Sequence, residues 1–119
     1  MKRLYSAMLN SFRGFAHAFR SEAAVREEVV ALILALPIGV LVAPSVAWYV
    51  AMIGVLLILL AVELLNTAIE KLADHVAPEQ HPKIGLIKDF GSAAVFCLLV
   101  LSALVWIAAL ATRAASWLG

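Results

Sequence analysis

A row of acidic and amide side chains follows an uncharged stretch in the middle of the sequence. Residues 48–62 carry no charge, and they lead directly into a segment that contains Glu63, Asn66, Glu70 and Asp74. On a helix that turns by about 100° per residue, these four side chains share one narrow face, which we call the acidic stripe. A carboxylate at membrane depth is costly unless it is paired, hydrated or bound to a cation. The acidic stripe therefore needs a partner, and a metal ion is the first candidate.

The composition is that of a membrane protein rather than of a soluble domain. Of the 119 residues, 65% are hydrophobic and only 14% are charged, and the apolar residues run in long blocks. The length predicts a single domain over residues 1–119. The one cysteine, Cys97, cannot form an intrachain disulfide. The basic residues form no dense patch, so we expect no nucleic-acid partner.

Residues 1–27 have the pattern of an amphipathic surface helix. Apolar side chains recur at helical spacing along one face, and basic residues interleave with them. A basic helix with such a face lies in the membrane interface rather than crossing the membrane.

Two long uncharged runs predict three transmembrane helices. The first uncharged run is too long for one span, and it is broken at Pro44, where a helix has to end. We therefore predict spans over residues 29–43 and 47–70, and a third span over residues 90–112. The predicted fold class is an all-α membrane protein.

Positive charges predict the orientation of these spans. Five Lys or Arg residues precede the first span and three lie in the polar segment 71–89, whereas the turn after the first span has none and the C-terminal segment has one. Because basic loops stay in the cytoplasm, we expect a multi-pass protein with a cytoplasmic N-terminus and a C-terminus outside. The polar end of the acidic stripe then faces the side on which ATP and Mg²⁺ are available. Three short spans enclose charged groups poorly, so we also expect association between copies.

The sequence contains no phosphate-binding loop and no protein-kinase signature. A nucleotide site would have to combine helix carboxylates, Mg²⁺ and a lysine. Lys88 and Asp89 precede the third span on the cytoplasmic side, and a lysine is a suitable partner for phosphate. The alternative is a small cation channel or membrane interaction protein that uses the acidic stripe, although this leaves Lys88 without a role.

Three segments resemble the small prokaryotic diacylglycerol kinase family. They are ELLNTAIEKLAD at residues 63–74, KDFGSAAV at residues 88–95 and SEAAVREE at residues 21–28. The resemblance covers nearly the whole chain and implies a homotrimer of three-span subunits in the bacterial inner membrane. It also implies an enzyme that transfers the γ-phosphate of MgATP to diacylglycerol, which yields phosphatidic acid for lipid recycling.

Undecaprenol kinase is the alternative within the same family, with the same site and a polyprenol acceptor. The sequence GSAA at residues 91–94 resembles the diacylglycerol branch, whereas EQHP at residues 79–82 leans slightly towards the polyprenol branch. We expect diacylglycerol to be the acceptor.

The resemblance also implies roles for individual residues. Glu63 would be the catalytic base that takes the proton of the lipid hydroxyl, and Asn66 would orient the reacting groups. Glu22 and Glu70 would hold Mg²⁺. The implied ATP-binding residues are Arg3, Asn10, Glu22, Glu70, Glu79, Gln80, His81, Lys88 and Asp89. The implied lipid-substrate residues are Arg3, Glu63, Ser92 and Trp106.

Two positions depart from the family pattern. One member of the family has an aromatic residue where Asn10 stands and an arginine where Tyr49 stands. These departures concern stacking on a nucleotide by residue 10 and contact with a lipid headgroup by residue 49.

Overall fold

The computed structural model describes residues 1–77, 79 and 81–119, and within these residues the chain is entirely helical outside its turns. Four helices follow one another in this described part of the chain. They are α1 (Lys2–Ser21), α2 (Ala23–Val42), α3 (Val46–Val76) and α4 (Pro82–Leu118). Helix α3 is central, since it packs against both α2 and α4, while α1 packs against α2.

The surface helix ends at Ser21 rather than at residue 27, and the chain breaks at Glu22, as the pair Ser21 and Glu22 predicts. The backbone of Glu22 is extended, with φ −118° and ψ 115°, and residues 23–27 form the first turns of α2 instead. Arg26 stabilises the break, because its Nη1 donates to the carbonyl oxygens of Phe19 at 3.0 Å and Arg20 at 2.9 Å. These are carbonyls of the last turn of α1, which have no partner within a helix. The break sets α1 apart from the first predicted span.

The apolar face of α1 is open to its surroundings. Its large side chains are exposed, as a helix that inserts this face into a membrane interface requires. They are Leu4, Met8, Phe12, Phe15 and Phe19. Only Ala18 of this helix is buried, and it packs with Val25 and Leu60 in a small hydrophobic cluster.

The turn between α2 and α3 lies at the predicted break around Pro44. The side chain of Ser45 caps α3 by accepting a hydrogen bond from the backbone N–H of Trp48 at 3.3 Å. Near this turn α2 and α3 are joined by Tyr49, whose hydroxyl donates to the Leu36 carbonyl at 2.9 Å. The Tyr49 ring lies against Gly39, where a Cβ atom would stand only 2.9 Å from the ring carbon Cε2.

The turn between α3 and α4 is shorter than the polar segment 71–89 suggested. Helix α3 continues to Val76, and α4 already begins at Pro82. Proline is well suited to the first helical turn, where its missing N–H would have had no partner anyway. His81 caps this start, because its Nδ1 accepts a hydrogen bond from the Lys83 backbone N–H at 3.1 Å.

Helices α3 and α4 are each long and apolar enough to cross a membrane. Helix α2 does not meet the same measure, because Arg26, Glu27 and Glu28 occupy its first two turns. The protein is therefore an all-helical membrane protein with two candidate spans among the described residues, and the long central helix α3 carries the acidic stripe.

Candidate active site

The acidic stripe lies on α3 and passes from the packed interior to the surface. Glu63 and Asn66 are buried, with 8% and 7% of their surface exposed. Glu70, one turn further along, is half-buried, and Asp74 is exposed. The side chains of the stripe are thus buried in the helix bundle at one end and exposed to solvent at the other.

Asn66 is held between its own helix and α4. Its amide Nδ2 donates to Oε1 of Glu70 at 3.2 Å. Its carbonyl oxygen Oδ1 is buried and has no hydrogen-bond partner among the described residues. The same amide group lies directly against Gly91 of α4. A buried amide oxygen without a partner is costly, and such an atom is suited to receive a ligand that is bound during function.

Glu22 brings a further carboxylate to the stripe from the break between α1 and α2. Its side chain is 25% exposed and pairs with Lys71 of α3, with 3.6 Å between Nζ and Oε2. The carboxyl groups of Glu22 and Glu70 are close enough to Glu63 for their negative charges to act on it. The structure therefore brings together four of the residues predicted for the site, namely Glu22, Glu63, Asn66 and Glu70.

Glu28 is a further member of this cluster, although it is not among the predicted site residues. It lies on α2, and its Oε1 is buried without a partner among the residues described. Burial, the nearby charge of Glu63 and then that of Glu27 raise the pKa of Glu28 to about 7. The available signal in the sequence was its place as the last charged residue before the first uncharged run.

A cleft of about 470 Å³ lies between the end of α3 and the start of α4. It is lined by three of the residues expected to bind ATP, Glu79, His81 and Lys88, together with Asp74 of the acidic stripe. The Lys88 ammonium donates to a carboxylate oxygen of Asp74, and this ion pair ties the two helices together across the cleft.

The remaining residues expected to bind ATP are more scattered. Asp89 is exposed on α4, and Arg3 and Asn10 are exposed on α1. Gln80 lies outside the described residues.

The residues expected to contact the lipid are also separated in this chain. Ser92 is exposed on α4. Trp106 joins α4 to α3, because its indole N–H donates to the Met52 carbonyl at 3.1 Å. A second cleft of about 490 Å³ lies between α1 and α3 close to the acidic stripe, and its lining is mostly apolar. That lining includes Phe15, Ala18, Leu64, Thr67 and Ala68.

The oxygen atoms of this site suit a hard divalent cation. Within residues 1–77, 79 and 81–119, no three His, Cys, Asp or Glu side chains come together as a closed metal cage. Mg²⁺ does not need one, because it is usually held by one or two carboxylates and completes its octahedron with waters and substrate phosphates. Glu22 and Glu70, with the free amide oxygen of Asn66 nearby, fit that requirement.

Comparisons with known proteins show the family of this chain. The family model "Prokaryotic diacylglycerol kinase" matches residues 9–110. Diacylglycerol kinase of Pseudomonas aeruginosa is 42% identical over 106 residues, which cover 89% of this chain and 86% of that protein. Diacylglycerol kinase of Haemophilus influenzae is 32% identical over 106 residues, covering 89% and 90%. Diacylglycerol kinase of Escherichia coli K12 is 35% identical over 104 residues, covering 87% and 85%. The chain belongs to the prokaryotic diacylglycerol kinase family.

Proposed function

We propose that this membrane protein is a lipid kinase that transfers the γ-phosphate of ATP to the hydroxyl group of diacylglycerol, giving phosphatidic acid and ADP. The observation that carries this proposal is the buried Glu63, which is flanked by Asn66, Glu70 and Glu22 in a chain of the diacylglycerol kinase family. Three relatives named diacylglycerol kinase, each aligned over most of its length, support the same activity. Family membership also favours the kinase over the cation channel.

Glu63 would act as the general base. Phosphoryl transfer relies on positioning and on charge neutralisation, and the protein has little covalent chemistry to perform. The lipid hydroxyl oxygen would form a bond to the γ-phosphorus while the bond from that phosphorus to the bridging oxygen of ADP breaks. The proton released from the hydroxyl would pass to the Glu63 carboxylate, which forms no hydrogen bond to another side chain among the described residues. Its place on the buried side of the stripe suits a substrate that arrives from the membrane.

Glu70, Asn66 and Glu22 would organise the phosphate side of the reaction. Glu22 and Glu70 are the residues we expect to hold Mg²⁺, which when bound would neutralise charge on the ATP phosphates. The hydrogen bond from Asn66 to Glu70 fixes one carboxylate oxygen, and the other has no hydrogen-bond partner within residues 1–77, 79 and 81–119. Lys88 reaches the same end of α3 from α4, and its ammonium group is a suitable point charge for phosphate.

We propose that α2 crosses the membrane together with α3 and α4. Its residues from 29 to 42 are uncharged, and at about 1.5 Å per residue they reach roughly 21 Å, which is short of the hydrocarbon thickness of about 30 Å. A short span lets the membrane surface lie close to Glu28 and Glu63, so the reacting hydroxyl and the ATP phosphates can meet there. The distribution of Lys and Arg supports a cytoplasmic N-terminus and a C-terminus outside, in the bacterial inner membrane.

We further propose that the working unit is a homotrimer, as the family resemblance implies. One chain covers the acidic stripe incompletely, because Glu70 is half-buried and Asp74 is exposed. Exposed apolar residues of α3 such as Leu65 and Ile69 flank the stripe and offer packing surface to a second copy. Native mass spectrometry of the detergent-solubilised protein would test this by showing the mass of three chains.

A phosphorylation assay in mixed micelles tests the proposed activity. Purified protein is given radiolabelled ATP with either diacylglycerol or undecaprenol, in the presence of Mg²⁺ or a chelator. We expect label in phosphatidic acid, and we expect chelation to stop the transfer. Glu63→Gln serves as the blank, because it removes the base while keeping the volume of the side chain.

Glu27→Gln is the matched control, since it makes the same chemical change at an exposed residue outside the stripe. It should retain the activity of the unmodified protein. Label only in undecaprenyl phosphate would keep the mechanism and change the acceptor. No label in either lipid from folded protein, together with ion flux in liposomes, would favour the cation channel.

A further inference from the structure

The contact between Gly91 of α4 and Asn66 of α3 leaves no room for a side chain at position 91. A Cβ atom built on Gly91 would overlap the carbonyl oxygen Oδ1 of Asn66 and would stand 3.1 Å from its Cγ. Among the glycines of the described chain, only Gly39 is comparably crowded by a side chain of a neighbouring helix, and that neighbour is a tyrosine ring rather than a site residue.

Asn66 has little freedom to move away from such an overlap. It is 93% buried, since only 7% of its surface is exposed, and its Nδ2 is committed to Oε1 of Glu70 at 3.2 Å. Rotation of the amide to escape a Cβ at position 91 would therefore break the hydrogen bond to Glu70. The carbonyl oxygen would also leave its present direction, in which it has no partner among the described residues.

We propose that Gly91 is a positioning residue for the kinase reaction. Because glycine has no side chain, the Asn66 amide can take the orientation in which it bonds to Glu70, and Asn66 in turn orients the Glu70 carboxylate. This proposal rests on the proposed function and adds to it a residue of α4 that contacts the acidic stripe directly. It also separates Gly91 from its small neighbours Ser92, Ala93 and Ala94, which are all exposed. A small residue at those positions is compatible with helix packing in general, whereas glycine at position 91 is required by one side chain.

The test is a double-mutant cycle between Gly91→Ala and Asn66→Ala, with turnover and thermal unfolding both measured in detergent. Gly91→Ala should lower kcat by about 10- to 100-fold, because a displacement of about 1 Å in a reacting group has effects of this size. The KM for diacylglycerol should change little, because the lipid site is not touched. The thermal midpoint should fall by several degrees as the two helices are forced apart.

Asn66→Ala removes the atoms that the new Cβ would meet, leaving Cβ of residue 66 at an ordinary 3.9 Å. Adding Gly91→Ala to Asn66→Ala should therefore cost no further turnover and no further thermal stability. The thermal midpoints still give a double-mutant cycle if Asn66→Ala has no measurable activity. Independent losses that add in the double variant would overturn the proposal, and so would a Gly91→Ala protein with full kcat.

Gly54→Ala is the matched control, since it makes the same substitution in α3 at a glycine with no atom within 4 Å of the added Cβ. It should keep full turnover and an equal or higher thermal midpoint, because alanine favours a helix more than glycine does. Failure of the proposed function is distinguishable, because then the unmodified protein and Gly54→Ala would also leave diacylglycerol unlabelled while the unfolding cycle would still report the contact.

Discussion

The two ends of the helix bundle differ in whether their buried polar side chains have hydrogen-bond partners. At the end near the turn between α2 and α3, Tyr49 donates to the Leu36 carbonyl, and further along α3 and α4 Trp106 donates to the Met52 carbonyl. Both bonds join two helices through a backbone oxygen. We call this the aromatic end, and its side-chain polar groups serve packing.

At the acidic end, formed by Glu22, Glu28, Glu63, Asn66 and Glu70, buried polar atoms are left without partners. Oε1 of Glu28 and Oδ1 of Asn66 are both buried and unbonded among the described residues. Leaving such atoms unpaired lowers stability, whereas each satisfied bond at the aromatic end adds to it. The unpaired polar atoms, which lower the stability of the fold, therefore lie at the end where we propose that ATP and lipid bind.

Arg113 of α4 is an exception to this division. Its Nε is also buried and has no hydrogen-bond partner in the part of the chain that is described. Its guanidinium group, however, lies over the ring of Trp117, 5.2 Å from the ring centroid. A cation over an aromatic ring is stabilised without a hydrogen bond, so this atom does not mark a second site.

The largest effect is expected from Glu63→Gln at the acidic end. Removal of a general base should lower kcat by about 10²- to 10⁴-fold. The thermal midpoint should stay equal or rise, because a buried ionisable group is replaced by a neutral amide of similar volume. Turnover and unfolding are measured on the same preparation. Normal turnover would remove Glu63 from the mechanism, and a large loss of stability would make it a structural residue.

Gly39→Ala tests the aromatic end, with the opposite expectation. The new Cβ would stand 2.9 Å and 3.2 Å from two ring carbons of Tyr49, so the ring has to move and its bond to Leu36 is strained. We expect a loss of about 1–3 kcal/mol in stability, as for other overpacked sites. Turnover per folded protein should be retained, with Gly54→Ala as the control. Unchanged unfolding would show that the aromatic end tolerates displacement.

The sequence was sufficient to predict the all-helical membrane fold and the placement of the acidic stripe on one helix. Helical periodicity put Glu63, Asn66 and Glu70 on a common face, and the structure has them there on α3. The break at Pro44 was also predictable, since proline and the capping Ser45 act locally on the backbone. Local signals of this kind need no knowledge of how helices pack.

Contacts between helices were beyond the sequence pattern alone. The pairing of Asn66 with Gly91 and of Asp74 with Lys88 depends on the register in which α3 and α4 pack, and charge or small size at a position does not set that register. Glu22 was predicted as a site residue from the family resemblance alone. The physical reason for its position is the extended backbone at the break after α1. The end of α3 at Val76 was missed because capping and packing decide where a helix frays.

Glu28→Gln should change how stability depends on pH. The pKa of Glu28 is raised from 4.5 to about 7 in the folded protein, with burial as the main cause. Below about pH 4.5 the group is protonated in both folded and unfolded chains, and its contribution to stability is fully present. Between about pH 4.5 and 7 the unfolded chain loses this proton while the folded chain retains it, so stability falls as the pH rises, and the fall is complete once the folded group has ionised above about 7.

The Gln variant lacks this titration, so its thermal midpoint should exceed that of the unmodified protein at pH 8 and match it near pH 4.5. Thermal unfolding across this range measures the difference, and Glu27→Gln is a comparison variant that should change the pH dependence only slightly, because the Glu27 charge is the smallest of the three causes of the raised pKa of Glu28. A constant difference at every pH would mean that Glu28 does not carry the titration at the acidic end.

The smallest effect is expected from Trp106→Phe at the aromatic end. The substitution removes the indole N–H that donates to the Met52 carbonyl at 3.1 Å, and the loss of one such bond costs about 0.5–1.5 kcal/mol. The KM for diacylglycerol should stay unchanged, because the N–H is already used by Met52 and phenylalanine keeps an aromatic face for a lipid. Trp117→Phe, at an exposed tryptophan, is the matched control, and it should cost less stability than Trp106→Phe because phenylalanine keeps an aromatic ring for the Arg113 guanidinium. A raised KM without any loss of stability would move Trp106 from helix packing to lipid recognition.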